Sequence, residues 1–262
     1  LAVGVYDLSE KSLAIDKKLI KALAMIGIPL ASLLHGYVGF IFGAVKANPW
    51  WATPLMPVIF LASAIVSGIA LLVVLYIVTT KIRKAKLDHE CLHSLANWLG
   101  GFLILNIVLE GLEVISMLYE SEESWGIISQ LITGKIAVSY FGIQFILGAL
   151  LPLLMLGLLQ VMKLSEQAKT KLRFISAALV LIGVFAMRWN VVIGGQLLSK
   201  SLRGFTDYAP PLMGLNGILV SAALMVLPLV ILAIIAHLIP PWKEASHSPE
   251  QRELSFQRPA LK

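Results

Sequence analysis

AALVLIGVFAMRWNVVIGGQLL, residues 177–198, decides the fold. An apolar run of this length meets the roughly 20 residues that a helix needs to cross a bilayer. It carries one formal charge, Arg188. A guanidinium at bilayer depth costs about 2.5–3.5 kcal/mol on insertion scales, so it is expected to have a partner and to mark function. Two other apolar runs hold the groups that answer it. LILNIVLEGLEVISML, residues 103–118, contains Glu110 and Glu113; IPLASLLHGYVGFIFGAV, residues 28–45, contains His35.

The whole chain matches that run. Of its 262 residues, 58% are hydrophobic and 14% charged, whereas soluble domains carry about 25% charged residues. Its mean hydropathy is +0.86. These values predict an all-α, polytopic transmembrane helix bundle. Six spans can be read, at Leu19–Val45, Pro54–Thr80, Leu92–Tyr119, Ile136–Met162, Phe174–Ile193 and Leu215–Ile239. Three parts follow: an interfacial linker over residues 1–18, the bundle over 19–239, and a polar, Pro-containing cytoplasmic tail over 240–262 that reads as extended or disordered. The chain begins Leu-Ala-Val, without a signal-peptide pattern, and is expected to lack its true N-terminus.

Charge sets the orientation. Sixteen of the Lys and Arg residues lie in the first segment, the second and fourth loops and the tail; Lys46, Lys135, Lys200 and Arg203 lie on the other side. Under the positive-inside rule this bias supports an even span count and puts both ends of the sequence in the cytoplasm of a prokaryotic inner membrane. The outer loops then hold Trp50 and Trp51, expected at headgroup level, the acidic stretch YESEESWGII, and the turn-rich LRGFTDYAPPLMG. The net charge of +6 therefore reflects topology, and no nucleic-acid partner is expected.

On this orientation His35, Glu110, Glu113, Arg188 and Asn190 share the outer half of the membrane, together with Tyr140 and Gln144. A quinone-reactive site needs such a set: a proton acceptor, donors for the carbonyls and an apolar slot. Simpler readings stand beside it. Arg188 with Glu113 reads equally as a structural ion pair between two helices. Glu110 and Glu113 are i,i+3 neighbours, so one can pair while the other carries protons. His35 can be a packing histidine, and Tyr140 and Gln144 read first as inter-helix hydrogen-bonding groups. A b-type haem within the chain is disfavoured, because His35 and His237 lie at opposite depths. The single Cys91 leaves no thiolate set for an iron–sulfur cluster. His89 and His93 have a metal-compatible i,i+4 spacing but no further ligands, and read as a solvated helix start. Gly194-Gly195 reads as a turn after a helix end, and no metal site is expected.

With these residues in view, the chain resembles the membrane subunits of the NrfD/polysulfide-reductase superfamily, in particular the HybB and DsrP branch. The resemblance covers about Ile28 to Trp242. LLHGYVGFIFGAVKANPWWATPLMPVIFLASAIVSG (33–68) is similar to that branch's His-bearing helix, Trp-bearing outer loop and next helix. NIVLEGLEVI (106–115) and MRWNVVIGGQ (187–196) resemble later helices carrying a Glu, here Glu113, and an Arg, here Arg188. The branch has about ten spans, so the six here would correspond to its last six.

The resemblance implies an integral quinone-interacting subunit, with menaquinone or ubiquinone as the ligand and no haem or iron–sulfur cluster of its own. Its partners would be a ferredoxin-like iron–sulfur subunit, or a haem subunit, and other redox subunits of a membrane complex, with sulfur-compound respiration as the expected pathway. His35 would contact the quinone, Glu113 and Glu110 would relay protons, and Arg188 would hold the carboxylate charged. Two other classes remain open: a proton-conducting or transporting bundle without redox chemistry, and a structural membrane anchor.

Overall fold

A computed structural model describes residues 13–238 apart from Ala85, Ser121, Lys163, Lys200, Leu202, Ala209, Leu215 and Asn216. The tail over 240–262 and residues 1–12 of the expected linker lie outside the described residues. The helices are α1 (Leu13–Gly43), α2 (Met56–Ile82), α3 (His89–Glu120), α4 (Glu122–Gln130), α5 (Leu151–Val161), α6 (Glu166–Leu197) and α7 (Ile218–Leu238). Between α4 and α5 run two π-helical stretches, Leu131–Lys135 and Val138–Leu150. The second flows into α5, so Val138–Val161 forms one span. Six helices among the described residues are long and apolar enough to cross a membrane, and the chain is a multi-pass membrane protein. The one extended pairing among the described residues is an isolated antiparallel bridge, Leu198 with Phe205.

Several helices start earlier than hydropathy suggests, because capping groups rather than apolar residues set their first turns. Asp88 Oδ1 accepts from the backbone N–H of Glu90 (2.9 Å) and Cys91 (3.1 Å), satisfying orphan donors at the start of α3. Ser165 does the same for α6 by accepting from the Ala168 N–H. As a result α6 begins eight residues before the expected Phe174 and takes Lys169, Lys171 and Arg173 into the helix. Helix α1 likewise begins at Leu13, within the expected linker.

The chain divides into two compact units, residues 22–208 and a second formed by 1–21 with 209–262. In the first unit α6 is the central helix. It packs on α2, α5 and the Val138–Leu150 stretch, while α2 also packs on α3. The core between these helices contains Val66, Val73, Leu99, Leu103, Leu156 and Val180. The closest approach is at Gly148 and Gly183, where a Cβ on either residue would run into the other's backbone. At one end, the end bearing Trp50 and α4, a second cluster joins Trp50, Met117, Ile128, Leu131 and Leu197. In the second unit α7 is a strongly apolar helix with Pro228 inside it. It is preceded by a turn in which Ile218 N–H donates to Pro211 O (2.9 Å).

Candidate functional site

Glu110 is the centre of a buried polar network near the Trp50 end of the bundle. Asn106, one helical turn earlier on the same face of α3, donates from Nδ2 to Glu110 Oε1 (2.6 Å). Gln144 donates from Nε2 to Glu110 Oε2 (2.9 Å). Gln144 Oε1 in turn accepts from Asn190 Nδ2 (2.8 Å). One carboxylate is thus tied to α3, to the π-helical stretch and to α6. Trp50 closes the network from the loop side: its indole Nε1 donates to Asn190 O (3.2 Å), and its ring meets Tyr140 edge-on.

The backbone explains why these side chains converge. Met187, Asn190 and Val191 stand at i, i+3 and i+4 on α6, a single helical face, and all three line one small cavity with Glu110, Glu113 and Gln144. Tyr140 lines the same cavity from the π-helical stretch. That stretch runs for 13 residues, whereas π-helical geometry ordinarily occurs as single-turn bulges, often at functional sites. The cavity measures about 20 Å³, room for about one water molecule. Glu113 Oε1 and Asn190 Oδ1 are buried beside it without a hydrogen-bond partner among the described residues, so the cavity is polar enough to hold that water.

Glu110 also lines an open groove of about 520 Å³ whose walls are mainly apolar, among them Ile107, Val114, Phe141 and Phe145. Tyr140 and Gln144 join Glu110 as its polar floor. A carboxyl group placed between a water-sized cavity and an apolar groove can take a proton from one and give it to the other. The two amides hold it in place without themselves carrying charge.

The other residues expected at the site fall in different places. Arg188 does not meet the carboxylates: among the described residues no ion pair joins it to Glu110 or Glu113. Its Nη2 donates to Phe60 O (3.0 Å) and Ser63 Oγ (2.8 Å) on α2, and its guanidinium lies 3.8 Å from the centre of the Phe60 ring. The reason is helical phase. Arg188 follows Met187 by one residue, about 100° around the helix, so it turns away from the cavity that Met187 and Asn190 line and reaches Phe60 and Ser63 of α2. A backbone carbonyl, a hydroxyl and an aromatic face take the place of the expected carboxylate.

His35 is separate again. It lies exposed on α1, and its Nδ1 is 3.0 Å from Ala31 O, one turn back. A carbonyl oxygen can only accept, so Nδ1 carries the proton in the neutral ring and Nε2 is left as an acceptor. Around it α1 also exposes Leu34, Tyr37 and Val38.

Four further features were misread or missed in the sequence. Gly194 and Gly195 lie inside α6 rather than in a turn, and their missing side chains make room for the Trp50 and Trp51 rings. Those rings pack on α6: Trp50 is 5% exposed, and Trp51 Nε1 donates to Val191 O (2.6 Å). Asn106 was overlooked, although its i,i+4 relation to Glu110 was visible. Arg173, counted as a loop cation, is buried in α6 with Nη2 3.3 Å from His93 Nδ1.

Comparison with known proteins agrees with this architecture. The model of the family described as Polysulphide reductase, NrfD matches residues 2–199. A selenate reductase subunit of Mesobacillus selenatarsenatis is 29% identical over 220 residues, 78% of this chain and 49% of its own length. A putative dimethyl sulfoxide reductase membrane subunit of Halobacterium salinarum is 32% identical over 54% of this chain and 33% of its own length. The Protein NrfD homolog of Haemophilus influenzae is 24% identical over 71% of this chain and 56% of its own length. The chain thus spans between about a third and just over half of the curated relatives it matches.

Proposed function

The chain belongs to the NrfD polysulphide reductase family, and from that premise and the geometry we propose that it is the quinone-interacting membrane subunit of a respiratory oxidoreductase complex. It exchanges reducing equivalents between the quinone pool and a partner iron–sulfur or haem subunit. The observation that carries this reading is the position of Glu110, held by Asn106 and Gln144 between a water-sized cavity and an apolar groove. A membrane subunit that couples to quinone must move protons as well as electrons, and this network is built to hold one.

Quinone supplies two-electron, two-proton redox chemistry when bound. His35 fits a contact with its head group, because its Nδ1 is engaged by Ala31 O and its Nε2 stands on an exposed, largely apolar part of α1. There the imidazole accepts the hydroxyl proton of a quinol. Glu110 takes up or releases protons through the cavity, and Glu113 lies one turn further along the same wall. Arg188 acts as a positioning residue, fixing α6 against α2 so that Asn190 reaches Gln144. The bias of basic residues supports a position for the network in the outer half of a prokaryotic inner membrane. Selenate, dimethyl sulfoxide and sulfur compounds are the substrate classes suggested by the names of the relatives and the family.

A second placement of the quinone head is favoured by one observation: the groove of about 520 Å³ has Glu110, Tyr140 and Gln144 as its polar floor. Titration of the intact complex with a fluorescent quinol analogue separates the two. Binding lost in His35→Ala and kept in Glu110→Gln puts the head at α1, with Glu110 serving protons. The reverse pattern puts it in the groove. Absence of saturable binding in the wild type, with proton flux in quinone-free liposomes, would replace both by a proton-conducting bundle.

A further inference from the structure

At the opposite end of the bundle a groove of about 600 Å³ opens between the end of α2 and the beginnings of α3 and α6. Ile77, Val78, Phe174 and Ile175 form apolar walls; the exposed Lys81 and Lys171 stand at its rim. The rim also holds Glu166, but that carboxylate is already engaged, by Lys169 Nζ at 2.8 Å and His89 Nδ1 at 3.5 Å. Neither Lys81 nor Lys171 forms a salt bridge with an acid among the described residues. Two cations beside an apolar slot, where the spans give way to the basic loops, suit an amphiphilic anion.

We propose that this groove is a binding site for an anionic phospholipid of the leaflet at the basic end of the bundle. The phosphate is held by Lys81 and Lys171, and one acyl chain lies along Ile77, Val78, Phe174 and Ile175. Charge complementarity selects the headgroup, since a zwitterionic lipid brings its own cation to a rim already positive. The apolar walls select a lipid over a soluble anion, which has nothing to bury there. Basic pockets between helices at the cytoplasmic side of membrane proteins recognise anionic lipids in this way. A bound lipid also joins three helices at the end farthest from the Glu110 network, so the site stands independently of the quinone reading.

Native mass spectrometry of the intact complex, exchanged into mixtures of phosphatidylglycerol and phosphatidylcholine, tests it. Wild type is expected to retain phosphatidylglycerol selectively. Lys81→Gln/Lys171→Gln is expected to lose that selectivity by about tenfold or more, given the contribution of each Lys near a charged bilayer surface. Lys81→Arg/Lys171→Arg, which keeps the charge, and Lys46→Gln, at the other end of the bundle, should both retain it, with unchanged helical circular dichroism in every variant. Equal retention of the two lipids by wild type would overturn the proposal. So would selectivity surviving in the double Gln variant, or falling as far in Lys46→Gln. Loss of a partner subunit from the double Gln variant while lipid selectivity persists would assign the groove to a protein contact instead.

Discussion

Glu110 accepts two amide hydrogen bonds from two different elements. Glu110→Gln keeps the shape and one of the two acceptor oxygens, sets an NH2 donor in place of the other, and removes the exchangeable carboxyl proton. Quinol-dependent turnover of the assembled complex should fall about 10²-fold, the scale of a lost general acid–base group; turnover within twofold of wild type would remove Glu110 from the proton route. Arg188 makes the opposite case. Arg188→Met abolishes hydrogen bonds from a charged donor to Phe60 O and Ser63 Oγ, a loss of about 1.5–3 kcal/mol each where the partner stays buried. Unfolding in detergent should show that cost. A double-mutant cycle between Arg188→Met and Glu113→Gln should show no coupling above the ~0.5 kcal/mol expected of independent sites, whereas strong coupling would restore the ion pair. At this scale the sequence identified the ionisable groups but not their partners. An Arg and a Glu at similar depth on two helices suggest a pair, and only the rotation of α6 shows that Arg188 faces Phe60.

Between elements, the contact that positions the network is made by absent side chains. Gly148 and Gly183 let the π-helical stretch and α6 touch backbone to backbone, which brings Gln144 within reach of Asn190. Gly183→Val should force the two apart, lower the melting temperature of the purified complex and reduce turnover. Gly157→Ala, on a helix face with open space around it, should change neither; equal effects of the two substitutions would contradict the close-packing account. The spans themselves were legible from hydropathy, because a bilayer imposes a length on each apolar run. The ends of α3 and α6 were not, because Asp88 and Ser165 set them by capping polar residues that hydropathy assigns to loops. Nor was the role of Gly194 and Gly195. A Gly pair near the end of a span looks like a turn until the two Trp rings that fill its space are located.

For the whole molecule, the distribution of Lys and Arg predicts which end faces the cytoplasm. Cys91, exposed near the start of α3, is the chain's one cysteine and a native reporter of that end. In intact cells a membrane-impermeant maleimide should leave it unmodified, and in inverted vesicles it should react. In a Cys91→Ser background, Lys135→Cys should give the reverse pattern, and labelling of both sites from one side would break the topology. The charge bias and the family resemblance were readable in the sequence. The division between a proton-holding network at Glu110 and a separate histidine on α1 was not, since the span order assigns both to one depth and their hydrogen-bond partners are read only from the packing. The most direct measurement is the quinol-analogue titration of the intact complex for wild type, His35→Ala and Glu110→Gln. Saturable quenching in wild type, weakened at least about tenfold in His35→Ala and retained in Glu110→Gln with depressed turnover, is the predicted result. Wild-type complex that shows no saturable binding would contradict the quinone-interacting role.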